Sequence, residues 1–180
     1  MIAAEPARPS APAEALTVAA QIGRPPREPW RTAARCAYGF PTVIVSPAVL
    51  CDATPFPSYA WLTCPWLSGI AGAEESEGAA ARWSARVARD GELAARLRAV
   101  DALVRDARRT ESGGTDACAA VGLAGQRDPL RVKCVHAHVA LALLGLGDPI
   151  GEEVLRDAPQ VCADKRCATL TPSGPDGRTC

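Results

Sequence analysis

Pro41-Thr42-Val43-Ile44-Val45 is a β-branched run bounded by turn residues, with Gly39 just upstream. Side chains branched at Cβ fit a pleated surface better than the crowded turns of a helix, so the run predicts a strand. Upstream, Arg35-Cys36-Ala37-Tyr38 leads into it through Gly39 and reads as strand as well. Downstream, Tyr59-Ala60-Trp61-Leu62-Thr63-Cys64 is bracketed by Pro55, Pro57 and Pro65. There Tyr59, Trp61 and Thr63 fall on one side of an extended chain and Leu62 and Cys64 on the other. Two or three short antiparallel strands between about residues 33 and 64 are the expected product. Cys64, directly before a proline, is steered away from helical geometry and belongs at a strand end.

Helical patterns follow the strands. From Trp66 to about Thr110 the chain carries an acidic stretch with Glu74, Glu75 and Glu77, which suits the first turns of a helix. Glu74 and Glu75 are candidate general bases, although carboxylates in such a position commonly serve the helix itself. Trp83 and Val87 stand four residues apart. After the break at Asp90-Gly91-Glu92, Leu93, Leu97, Val100 and Val104 mark the apolar stripe of a second helix. The glycines from Gly113 to Gly125 suggest a loop or flexible insert. Strands first and helices afterwards is the order of an α+β fold, here a small antiparallel sheet covered by three or four helices.

Both histidines of the chain lie in Arg131-Val132-Lys133-Cys134-Val135-His136-Ala137-His138-Val139-Ala140-Leu141. From Val132 to Leu144 there is no proline or glycine, and Val132, Val135, Val139 and Leu143 recur at helical spacing. On that helix Cys134, His138 and Leu141 would share a face, with His136 on the far side. A thiol and an imidazole four residues apart suit a metal ion, or a thiolate activated by imidazolium and by Lys133. They equally suit a small buried thiol beside a hydrogen-bonded core histidine. Gly145 to Pro149 ends the helix, and Gly151 to Arg156 would add a short one.

With 180 residues and 48% hydrophobic content the chain can build one core, expected over residues 19–158. Residues 1–18, rich in Ala and Pro, read as a disordered tail, and 159–180 as a flexible tail holding Cys162, Cys167 and Cys180. Cys162 and Cys167 alone signal zinc weakly, because the strong pattern needs a second pair. Twenty basic and twenty acidic residues cancel, which argues against a general polyanion binder, and nucleic acid is not expected as a partner. Of the basic residues 18 are Arg and 2 are Lys, which together with the abundant Ala, Gly and Pro looks like coding bias. No run reaches the ~18 to 20 apolar residues of a spanning helix, so membrane insertion is not expected. The start, Met1-Ile2-Ala3-Ala4-Glu5-Pro6, lacks the pattern of an export signal. A cytoplasmic protein is expected, its eight cysteines reduced thiols or metal ligands.

Six stretches carry a resemblance: Gly23-Arg24-Pro25-Pro26-Arg27, Arg35-Cys36-Ala37-Tyr38-Gly39-Phe40-Pro41, Thr54-Pro55-Phe56-Pro57, Leu62-Thr63-Cys64-Pro65, Arg131-Val132-Lys133-Cys134-Val135-His136 and Asp148-Pro149-Ile150-Gly151. In this order they resemble the bacterial family catalogued as domain of unknown function five hundred and one, over about residues 20 to 157. That family has no established activity. Its genes tend to lie near those for a septum-formation initiator and an exopolyphosphatase-like protein, an associational link to envelope growth or division. The family pattern places a second histidine seven residues after the cysteine of the focal stretch; here that position is Leu141, and His138 is present instead.

Cys36, Cys64 and Cys134 each lie in a family-like motif, with His136 or His138 available as a fourth ligand. Three thiolates and an imidazole suit zinc or an iron–sulfur centre; otherwise no cofactor is expected. Arg24, Arg35, Arg131 and Lys133 are the candidate anion-binding cations. Two classes of function follow. One is a non-enzymatic interaction or accessory protein with an unidentified protein partner, with or without a structural metal. The other is a small thiol- or metal-dependent enzyme acting on an anionic substrate. The first has the advantage that no nucleophile elbow, phosphate-binding loop, dinucleotide glycine pattern or zinc-protease pair is present.

Overall fold

The structure, a computed structural model, describes residues 12–159 and 161–171. Three strands, β1 (Arg31–Arg35), β2 (Pro41–Val45) and β3 (Ala60–Leu62), form one antiparallel sheet in the order β1-β2-β3. The α+β class and the small sheet expected from the strand runs are those of the molecule. Every residue of β2 is buried. Val43, paired with Leu62, joins the main core, and Ile44 packs on the opposite face with Val18 and Trp30. A strand covered on both faces reads as a continuous apolar run, which is what the sequence shows.

The β1–β2 hairpin corrects the strand boundary. Cys36 to Phe40 is the turn, closed by the Cys36 N–H to the Phe40 carbonyl and the Gly39 N–H to the Cys36 carbonyl, each 2.9 Å. Gly39 sits at φ 83°, a conformation open to glycine without steric cost.

Six helices accompany the sheet among the described residues. α1 (Pro12–Ile22) begins inside the stretch of residues 1–18 read as a disordered tail and runs past its end. Its Val18 is fully buried against the second face of the sheet, a surface that no sequence pattern of residues 1–18 announces. The expected disorder of residues 1–11 and 172–180, Cys180 included, lies outside the described residues. α2 (Pro65–Ser76) follows β3 directly, with Pro65 supplying the fixed φ that suits a first helical position. Because the helix starts there, Glu74 and Glu75 occupy its last turn, not a first turn. α3 (Ala79–Val87) and α4 (Gly91–Glu111) complete the helical region, and Leu93, Leu97, Val100 and Val104 are buried as their spacing predicts.

Of the two readings of the glycine-rich stretch after α4, the loop is the one observed, and buried polar groups tie it down. Arg108, fully buried, bonds Asp116 (2.7 and 3.0 Å) and the carbonyls of Pro57, Cys118 and Val121 (2.8, 2.9 and 2.6 Å). Asp101 accepts the Leu123 N–H at 2.7 Å. A Cβ on Gly122 would stand 1.8 Å from the Asp101 carboxylate, so the loop can close on α4 only through glycine.

α5 (Val135–Leu143) and α6 (Pro149–Asp157) end the domain. The focal helix therefore starts at Val135, later than expected, and Cys134 precedes it with extended geometry (φ −148°, ψ 114°). Asp148 caps α6 through the N–H groups of Ile150 and Gly151, at 3.0 and 2.9 Å. The two helices cross so closely that a Cβ on Gly151 would lie 2.1 Å from the His138 carbonyl oxygen. Among the described residues no helix is long and apolar enough to cross a membrane.

Candidate metal centre

The extended conformation of Cys134 decides the local chemistry. A residue just outside the helix is not bound by the helical face rule, and its thiol turns toward His136, two residues on, and away from His138. Glu75, reaching across from the last turn of α2, completes a set in which one ligand atom from each of Glu75, Cys134 and His136 lies within 4.8 Å of the others. The His136 Nδ1 stands 3.1 Å from Glu75 Oε1, which also accepts the Val135 N–H at 2.6 Å. A carboxylate at the start of α5 is favoured by the unpaired N–H groups and the dipole there.

The electrostatics of this point favour a cation. The Cys134 hydrogen bond and then the Glu75 carboxylate push His136 up to about 9, with burial working against them. For Glu75, burial raises the carboxyl, but His136 and the Val135 N–H outweigh it and hold it below the ordinary value. Without a metal, a proton on the imidazole supplies the positive charge that the carboxylate and thiol share.

All three groups are half-buried, and Cys134 and His136 line a cavity of about 560 Å³. Apolar walls come from Ile22, Trp61, Leu62 and Leu141; Lys133, Arg24 and Gln21 supply polar groups. Arg24 also lies over the Trp61 ring, 5.4 Å from its centroid.

The residues expected to form one site are divided among three places. Cys134 and His136 meet here. His138, fully buried, bonds Asp148 Oδ2 through Nδ1 at 2.8 Å and joins α5 to the cap of α6, so the expected Cys134–His138 pairing does not form. Cys36 and Cys64 line a separate space together with Cys162 and Cys167. Of the candidate cations, Lys133 and Arg24 reach the cavity. Arg35 instead pairs with Glu14, and Arg131 is exposed and outside the lining. Cys51 is disulfide-bonded, a departure from the expectation of reduced thiols throughout, whereas Cys36, Cys64, Cys118, Cys134, Cys162 and Cys167 are free.

Sequence reasoning weighed Glu75 as a base at a helix start and did not connect it with Cys134, some sixty positions away. Its one usable signal was the neighbouring acid pair, which says nothing about a partner. The family model described as "Protein of unknown function (DUF501)" matches residues 32–156, covering β1 through α6 and all three groups of the centre. No curated protein and no solved structure matches the chain.

Proposed function

The chain belongs to the DUF501 family, whose function is unknown, and on that premise we propose that it is a metal-dependent enzyme acting on a small anionic substrate in the cavity. Glu75, Cys134 and His136 hold a zinc-type ion. One observation carries the reading: a thiol, an imidazole and a carboxylate converge within 4.8 Å of one another, and the thiol and imidazole line a cavity of about 560 Å³.

Zinc takes this mixture of S, N and O donors, and a site with three protein ligands keeps a position for water or substrate. A structural zinc has all four positions closed by protein, so openness to the cavity favours the enzyme over the accessory role. The arrangement also differs from a nucleophile–base–acid relay, in which the ring stands between the sulfur and the carboxylate and holds them apart. Lys133 and Arg24 supply positive charge for an anion, and the apolar walls exclude water around it. When bound, the ion would polarise a substrate oxygen or lower the pKa of a bound water.

The test is metal content by elemental mass spectrometry on untagged protein purified under reducing conditions. Wild type should hold about one zinc per chain more than Cys134→Ser and His136→Ala each retain. Inorganic phosphate should bind the zinc-loaded wild type, as read by calorimetry, and not these variants. If neither substitution lowers the zinc content of a folded protein, the reading is wrong.

A further inference from the structure

The space at one end of the sheet, by the β1–β2 turn, is lined by four cysteines from three parts of the chain. Cys36 comes from the β1–β2 turn, Cys64 from the junction of β3 and α2, and Cys162 and Cys167 from the segment after α6. We propose that these four thiols form a second, closed zinc site that fastens the C-terminal segment to the sheet. The site is distinct from the cavity centre and independent of it.

The Cys162-x4-Cys167 spacing lacks a second pair along the sequence, and the fold supplies one. Cys36 and Cys64 close the outer ends of a hairpin and a strand, places where backbone irregularity lets a side chain turn inward. The enclosed space measures about 10 Å³, the size of a single small ion or water and far too small for an iron–sulfur cluster. Its wall is otherwise mainly apolar, with Phe40, Pro41 and Val161. Buried thiols in such surroundings resist ionisation unless a cation joins them. Burial pushes Cys64 up, partly offset by the N–H groups of Leu67 and Trp66 at the start of α2, and burial likewise pushes Cys167 up, against the Gln21 hydrogen bond.

Four thiols binding Zn²⁺ would release four protons to solvent and leave a net charge of two negative on the centre. Two cations lie close by, Arg166 also paired with Asp164 at 3.0 Å. Lys165 lines the space, and Arg166 interacts with Cys162 and Cys64; both lie between Cys162 and Cys167 in the chain. They are held in place by aromatic rings, Lys165 over Tyr38 at 5.0 Å and Arg166 over Trp66 at 4.9 Å. The Trp66 Nε1 donates to the Pro159 carbonyl at 2.7 Å, and Gln21 Nε2 donates to Cys167 Sγ at 3.3 Å, so α1 and α2 both guide the segment to this place.

The sulfurs are not yet gathered, since the one set of ligand atoms within 4.8 Å of one another among the described residues is that of Glu75, Cys134 and His136. A zinc tetrahedron brings sulfurs to roughly 3.8 Å from each other, given a Zn–S distance of ~2.3 Å. Rotation of a cysteine between staggered χ1 wells moves its sulfur by about 3 Å, and the proposal requires such rotations to draw the four together. Cys36 and Cys64 lie within the family match, and Cys162 and Cys167 lie beyond its end at residue 156.

Elemental analysis on reduced, untagged Cys134→Ser protein isolates the site from the cavity centre. About one zinc per chain is expected in this protein, and none after Cys162→Ser and Cys167→Ser are added. Zinc that persists in the folded triple variant, or iron in place of zinc, overturns the proposal. Should the triple variant fail to fold, titration of the Cys134→Ser protein with an organomercurial decides. Release of one zinc should track modification of Cys36, Cys64, Cys162 and Cys167, located by peptide mass mapping. Absence of zinc, or free reaction of these thiols before its release, refutes the site.

Discussion

Glu75 binds the start of α5 twice, through the Val135 N–H at 2.6 Å and the His136 Nδ1 at 3.1 Å, and so joins the end of α2 to the one helix that carries both histidines. The carboxylate is at once a helix cap and a candidate ligand, and these roles separate on substitution. Glu75→Gln keeps an oxygen for the Val135 N–H and loses the charge. The fold should persist, while zinc affinity of the cavity centre falls by more than the roughly 10–100-fold that follows loss of an outer-shell partner. Competition with a chromogenic chelator measures it.

Lys133 and Arg24 should act on ligand affinity without touching metal content. Each charge-assisted bond is worth about 1.5–3 kcal/mol, so Lys133→Ala and Arg24→Ala should each weaken phosphate binding by roughly tenfold or more. Arg131→Ala should leave it unchanged, because Arg131 is outside the cavity. Calorimetric titration of the three zinc-loaded variants provides the comparison.

Gly151→Ala should be among the most damaging small changes in the chain. Its Cβ would meet the His138 carbonyl at 2.1 Å, and relief requires α5 and α6 to part. A loss of about 3 kcal/mol or more is expected from such overpacking of a backbone contact. Urea denaturation of wild type and variant measures the difference.

Arg108→Met should leave Asp116 buried without its cation and cost roughly 3–5 kcal/mol. Adding Asp116→Leu should recover part of that, since the orphaned charge goes with it. A double-mutant cycle by chemical denaturation tests the coupling. Equal destabilisation by the single and double variants would place the cost in the Pro57, Cys118 and Val121 carbonyls instead.

Acid stability should carry the mark of the same pair. Burial raises the Asp116 carboxyl, but the Arg108 hydrogen bond, the Cys118 N–H and the charges of Arg108 and Arg105 outweigh it and hold it below the ordinary value of 3.8. With the folded value depressed, the contribution is complete above the unfolded value and is lost as pH falls through the folded one. Wild type should therefore lose stability below about pH 4, and Asp116→Asn should show a shallower acid limb in denaturation curves taken from pH 2 to 6.

The strand run at Pro41–Val45 and the stripe of Leu93, Leu97, Val100 and Val104 were legible because each records its burial locally, by branching at Cβ or by a period near four. The helix from Pro12 was not. Its composition resembles a linker, and its Val18 is buried by a sheet face whose existence depends on residues 31 to 62. Nor did the glycines near Gly122 reveal their purpose, since close approach to Asp101 and flexibility look alike in one sequence.

For the site, the sequence by itself determined the inventory: two histidines, eight cysteines and a stretch that sets Cys134 beside His136. The tertiary structure decided the sets. It began α5 at Val135, which released Cys134 from the helical face it was expected to share with His138. It delivered Glu75 from α2, and it brought Cys162 and Cys167 back to Cys36 and Cys64. A ligand set is a fact about distance, and the separation of some sixty positions between Glu75 and Cys134 shrinks to within 4.8 Å only when the core between them has packed.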